Sequence, residues 1–111
     1  MFPIIYSDRF LAHETGYMHP EQPERLTTIV ETLKSATIAD QLTWLEPSSD
    51  RDVLTEIARV HEPSYIETVR AYADRGWGCF ETTQISPASF DVACLAVAAW
   101  LAGVDRVQPT G

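Results

Sequence analysis

The stretch His13-Glu-Thr-Gly-Tyr-Met-His-Pro-Glu-Gln-Pro-Glu-Arg-Leu26 limits what this chain can fold into more than any other. Pro20 and Pro23 each lack a backbone N–H and fix φ, so no helix runs up to or through them. Pro23 suits the first turn of a helix that follows it. Glu21 and Glu24 lie where the positive end of that helix favours acidic side chains. Leu26, Ile29, Val30 and Leu33 then recur at helical spacing and mark one apolar face over 23 to about 34. The segment is loop first and helix second. Polar side chains cluster on a stiff loop held against a packed helix, a common way to build a site.

Strands and helices alternate along the rest of the chain. Phe2 to Ser7 reads as a buried first strand, Asp8 to Gln22 as the motif loop, and Leu42-Thr-Trp-Leu45 as a second short strand closed by Glu46-Pro47. Ser48, Ser49 and Asp50 offer N-caps for a helix through Val60, with Leu54, Ile57 and Ala58 on its inner face. A further helix follows Pro63 and turns Tyr65, Ile66, Val69, Tyr72 and Ala73 inward. Gly76 and Gly78 end it in a loop running to Ile85. Ser86-Pro87 begins the last helix, which runs to about Gly103. Phe90, Val92, Leu95, Val97, Trp100 and Leu101 make it apolar nearly all round, so it is predicted to be buried, with Trp100 in the core.

Strands separated by helices predict an α/β protein with parallel strands. Two strands make no independent sheet of that kind, because parallel sheets are covered on both faces. The last helix likewise wants neighbours that this chain does not supply. The pattern predicts the front part of a larger fold.

Composition excludes several functions. At 111 residues the chain is one domain or part of one. Sixteen acidic and eight basic residues give a formal charge of −8, with no cluster of Lys and Arg. Nucleic acid is therefore not an expected partner, nor is a membrane surface. The longest apolar run, Val92 to Leu101, is too short to span a bilayer, and the N-terminus lacks the basic region of a signal peptide. Cys79 and Cys94 form no disulfide framework and are expected as reduced thiols in a cytoplasmic protein.

Three motifs in order carry a family resemblance. Asp8 followed by His13-x-x-Gly16-x-x-His19-Pro-Glu-x-Pro-x-Arg-Leu26 resembles the opening of the histone deacetylase superfamily, especially its bacterial deacetylase, acetoin-utilisation and acetylpolyamine amidohydrolase branch. Val60-His-x-x-x-Tyr-Ile66 and Ile85-Ser-Pro-x-Ser-Phe-Asp-x-Ala93 agree with it. The resemblance implies that residues 1–111 are an incomplete N-terminal segment of a deacetylase domain. The implied fold is the arginase/deacetylase-like three-layer arrangement around a parallel sheet, with two strands and about four helices present here. The resembled enzymes hydrolyse an acetyl amide with one zinc, held by Asp-x-His and a later Asp. The metal polarises the carbonyl and activates water, tandem histidines handle protons, and a tyrosine stabilises the oxyanion. None of those motifs occurs in this chain. The expectation is a segment without catalytic residues or cofactor of its own, zinc being expected for the complete family member. Its partner is the missing C-terminal part of the domain or a partner chain. An acetylated lysine, polyamine or similar amide becomes its substrate only on completion.

Five residues of this chain match family positions of interest. Arg25, in the Pro-x-Arg string beside His19 and Pro20, matches an arginine that faces an internal channel beneath the active site and is linked to passage of the released acetate. A guanidinium suits that task, since it keeps its charge and binds carboxylate with two parallel hydrogen bonds. Read from the residues alone, Arg25 is solvated or paired with Glu21. Relatives carry an Asp-x-Asp-Thr-like string at the tunnel rim before the Ser-Pro-x-Ser start. Here Cys79-Phe-Glu-Thr-Thr-Gln84 departs from it, and Glu81 and Thr82 fall nearest the gripping carboxylates. Trp77 stands either at a tunnel mouth or as a loop anchor. Two readings of other classes stand beside the enzyme segment. One is a non-catalytic interaction module that folds by dimerising or pairing through its apolar last helix. The other is a small metal-binding protein built on His13, His19 and His61. Against it, the His13–His19 spacing shares no helical face, and structural hydrogen bonds at a loop and a helix end are the simpler role for His19 and His61.

Overall fold

A computed structural model describes residues 1–16, 19–80 and 83–108. The two expected strands pair in parallel: β1 (Phe2–Ile5) lies beside β2 (Leu42–Leu45) in the register Phe2 to Leu42 through Ile5 to Leu45. The Tyr6 N–H donates to the Leu45 carbonyl at 2.9 Å and carries the ladder one residue further. Helix α1 (Glu24–Ser35) connects them, with Pro23 as its N-cap. Its apolar stripe is only partly covered. Leu26, Val30 and Leu33 are half-buried and Ile29 is exposed, so α1 lies on the sheet's flank without entering a core. Strand β1 is also less buried than its composition predicts, with Phe2 open to solvent. The motif loop begins with a 3-10 turn, Asp8–Ala12, seated by Ser7, whose Oγ accepts the Arg9 N–H at 3.1 Å.

The predicted helix from Ser48 to Val60 is not formed as such. Only α2 (Leu54–Ile57) is helical; its N-cap residue Val53 supplies no side-chain cap, and Asp52 just before it accepts the Thr55 hydroxyl at 2.8 Å. Ser48 instead accepts the Asp50 N–H at 3.2 Å. Short polar side chains that bond nearby backbone compete with helix formation, and in this run they win. The inner residue is Val53, which is buried, whereas Leu54 and Ala58 are exposed.

Helix α3 (Pro63–Asp74) matches its predicted span and buries Ile66 and Ala73; Tyr65 is exposed instead of inward. Gly76, at φ +100°, takes the left-handed conformation that turns the chain out of it. The stretch read as loop beyond it contains an antiparallel hairpin, β3 (Gly78–Phe80) and β4 (Thr83–Ile85). Ile85 is buried at the end of β4 and leads through Ser86-Pro87 into α4 (Ser89–Val107).

Helix α4 crosses β1, with Gly103 opposite Ile5, and packs on the 3-10 turn and on α3. One stripe of it is buried, at Ser89, Leu95 and Ala98. The remainder is half-covered or exposed, and Trp100 is 78% exposed, so the prediction of a core tryptophan is overturned. The cause is geometric. A helix apolar all round needs neighbours on every side, and here it has them on one. The accessible surface is 7897 Å², against about 6,100 Å² for a compact monomer of this mass. The radius of gyration is 15.7 Å and the extents are 42 × 41 × 20 Å, where a compact chain of this length has a radius of about 13 Å. The molecule is an open slab. The parallel pair and four helices match the predicted α/β class; the hairpin is additional. No helix among the described residues is long and apolar enough to cross a membrane.

The uneven burial of α4 gives opposite expectations for two of its residues. Leu95→Ala removes a side chain 4% exposed and is expected to cost about 2–5 kcal/mol. Trp100→Ala is expected to change stability by less than about 0.5 kcal/mol, as for other surface positions. Urea denaturation of the two variants followed by circular dichroism checks both; equal losses would contradict this packing.

Candidate functional site

The motif loop is held to the start of α4 by a buried group of hydroxyls. Ser86 and Ser89, 1% and 7% exposed, face the loop from the turn before α4 and from its first residue. The Glu14 N–H donates to Ser86 Oγ at 3.0 Å, and the Ser86 N–H donates to Ser89 Oγ at 2.8 Å. The two hydroxyls are 3.1 Å apart, and His13 Nδ1 lies 2.6 Å from Ser89 Oγ. Counting donors assigns the remaining protons. Ser86 donates to Ser89, Ser89 donates to His13 Nδ1, and the imidazole carries its proton on Nε2. Both hydroxyl protons then have an acceptor.

A hydroxyl within reach of an imidazole is also the geometry of an activated nucleophile. Ser89 does not qualify. It is buried, and its oxygen already accepts the Ser86 amide. The pair is a tether, and what it tethers is the loop that carries the family motif.

Further along that loop, Thr15 is buried and its hydroxyl donates to the Glu21 carbonyl. Gly16, at φ +93°, supplies the left-handed backbone between them. His19 accepts the Glu21 N–H at Nδ1 over 3.1 Å, and the Glu21 carboxylate meets the Arg25 guanidinium at 2.8 Å. His19, Pro20 and Arg25 are thus gathered at the entry to α1. The Arg25–Glu21 pair is exposed, 57% and 71%, and in water such a pair contributes little stability. Glu81 and Thr82 lie outside the described residues. His61 stands at the entry to α3 and stacks on Tyr65 with ring centroids 5.4 Å apart. Trp77 is exposed beside the hairpin.

Ser86, Ser89 and Thr15 hold the site without having been singled out as site residues. The Ser86-Pro-x-Ser89 spacing was a visible signal of a turn entering a helix. Its pairing with His13, 76 residues away, was not visible.

The three histidines do not assemble. His13 is engaged by Ser89, His19 by the loop backbone and His61 by Tyr65. Among the described residues no three His, Cys, Asp or Glu side chains gather closely enough to hold a metal ion. Among the described residues no donor set fits a zinc ion.

Burial, reinforced by Asp91 and partly offset by Arg70, pushes the Cys94 thiol above its ordinary value of 9.0. Burial and then Asp8, which also bonds the hydroxyl, raise Tyr6 above 10.0, with Glu46 adding to the shift. Two apolar surfaces flank α4. One is a groove of about 610 Å³ between α4 and α2–α3, walled by Ile57, Ile66, Val69, Phe90, Val97 and Leu101. The other joins Ile5 to Trp100, Val104 and Val107.

Comparison with known proteins agrees with the motifs. The family model of the histone deacetylase domain matches residues 19–110. An uncharacterized protein of Synechocystis sp. is 46% identical over 109 residues, covering 96% of this chain and 36% of that protein. A probable deacetylase of Archaeoglobus fulgidus is 28% identical over 95 residues, 84% of this chain and 26% of that protein. The chain therefore spans about a third or less of the length of these relatives.

The tether and the exposed pair give contrasting expectations. Ser89→Ala leaves the buried Ser86 N–H without its acceptor and is expected to cost about 1–3 kcal/mol, while Arg25→Ala costs less than about 0.5 kcal/mol. Denaturant titration of both variants checks this. Cys94 is half-buried with a raised pKa and Cys79 is exposed, so a disulfide reagent near pH 8 is expected to modify Cys79 faster by about tenfold or more. Cys94 and Tyr6 hold their protons more tightly folded than unfolded. Their contribution to stability is whole below their ordinary values of 9.0 and 10.0 and is lost as pH rises through the folded values. Denaturant midpoints measured across the alkaline range are expected to fall.

Proposed function

This chain belongs to the histone deacetylase family, and on that premise we propose that it is the N-terminal portion of a zinc-dependent deacetylase domain, inactive until completed. The reaction is hydrolysis of an acetyl amide on a lysine side chain, a polyamine or a similar small molecule. The zinc ligands and tandem histidines come from the rest of the domain, on the same polypeptide or on a partner chain. This segment contributes the first parallel strands, the motif loop and the tunnel-rim hairpin. Arg25 serves the acetate channel from the entry to α1, and Glu81 and Thr82 border the substrate. The completed protein works in the cytoplasm and has no affinity for nucleic acid or membrane, in keeping with a charge of −8 and the absence of a basic cluster.

The observation that carries this reading is the uncovered surface. An excess of roughly 1,800 Å² over a compact monomer is about twice the ~800 Å² that each partner buries in a standard specific interface. Apolar grooves flank α4 on both sides, and a parallel α/β sheet requires cover. Shares of 36% and 26% of the relatives' lengths leave ample chain to provide it.

The test is completion. The 111-residue chain is co-expressed with a polypeptide corresponding to the unmatched remainder of the Synechocystis relative, and acetyl-lysine peptide and acetylpolyamine are supplied with zinc. No turnover is expected from the chain alone, and co-purification with deacetylation from the pair. Turnover by the isolated chain would contradict the proposal. A stable pair without hydrolysis would favour the non-catalytic interaction module.

A further inference from the structure

Basic side chains are scarce in this chain, eight against sixteen acidic ones, and nearly all of them are engaged. Arg25, Arg51, Arg59 and Arg70 each hold a carboxylate within 3.1 Å. Lys34 and Arg75 lie over aromatic rings. Among the described residues, Arg9 and Arg106 have neither kind of partner. Arg106 is exposed in the last turn of α4. Arg9 borders a cavity.

That cavity, of about 130 Å³, lies where the segments leaving the carboxyl ends of β1 and β2 meet α4. Its floor is apolar and buried, built from Val53, Leu95 and Ala98. Its polar wall is Arg9, Ser48, Ser49 and Arg51, with Asp91 bordering it from α4. Loops at the carboxyl ends of parallel strands are the usual ligand-binding edge of an open α/β sheet.

Donors border the cavity from two segments of the chain. The Arg9 backbone is pinned by Ser7, so its guanidinium works from a fixed base. Ser48 Oγ already accepts the Asp50 N–H, which leaves its own proton to donate elsewhere. Arg51 shares its charge with Asp105 at 2.8 Å and adds a weaker field. The volume is close to that of a cavity that holds a benzene ring, roughly 150 Å³. A group of four or five heavy atoms fits, and a nucleotide does not. Asp91 repels a second negative charge and so favours a monoanion.

We infer that this cavity binds a small carboxylate monoanion, held by the Arg9 guanidinium and the Ser48 and Ser49 hydroxyls. The inference is independent of the proposed reaction, and the cavity is separate from the surface around Arg25.

Equilibrium dialysis tests it without requiring a particular oligomeric state. The full chain is dialysed against radiolabelled acetate, and separately against radiolabelled phosphate, at constant ionic strength in chloride. Acetate is expected to bind saturably, approaching one per chain, and more tightly than phosphate. Arg9→Gln is expected to weaken acetate binding at least tenfold, while Arg106→Gln, which removes the same charge from the last turn of α4, leaves it unchanged. Both replacements are at exposed positions, and matching circular dichroism spectra confirm that the fold is kept. Absence of saturable acetate binding, tighter binding of phosphate, or equal losses in the two variants would overturn the assignment.

Discussion

Buried polar atoms must find partners inside a protein, and in this chain that requirement joins two stretches more than seventy residues apart. Ser86 and Ser89 are placed by the turn into α4, and their hydroxyls are satisfied by the Glu14 amide and the His13 imidazole. Once that bond set forms, the motif loop can take few other courses. His13 and Glu14 are fixed against α4, Thr15 and Gly16 turn the chain, and His19 and Glu21 deliver it to α1 with Arg25 at the first turn. The family motif is therefore legible as mechanics. Its polar residues are spent partly on holding a loop in place, before any of them meets a substrate.

The apolar side of the molecule poses the complementary problem. Helix α4 buries Leu95 and Ala98 against the rest of the chain and leaves Trp100, Val104 and Val107 outside. Parallel strands with one pairing partner each, an α1 without a buried residue and a slab 20 Å thick describe the same condition. The hydrophobic effect favours covering such surfaces. On the proposed reading, the remainder of a deacetylase domain would cover them. In this account the site and its missing cover are one feature, because the elements that would close the core are those that would bring the chemistry.

What the sequence made legible followed from local rules. Two prolines separated loop from helix at α1, the Leu42–Leu45 run paired as a strand, and Pro63 opened α3. What it concealed depended on partners. Apolar periodicity states that Trp100 prefers burial, yet burial needs a neighbour, and none is supplied on that side. The Ser48–Asp50 run looked like a helix cap and became local turns, because its hydroxyl bonded its own backbone. The hairpin at Gly78–Ile85 was hidden by glycines and polar residues that signal loop and turn alike. The His13–Ser89 contact has no local signature at all.

The most direct measurement is the solvent accessibility of Trp100. With Trp44 and Trp77 replaced by phenylalanine, acrylamide quenching of the remaining indole reports on α4 alone. The account predicts an accessible Trp100 in the dilute isolated chain, and a shielded one once the completing part of the domain is bound. A Trp100 that stays accessible in that complex would contradict the claim that α4 belongs to the interior of a larger deacetylase core.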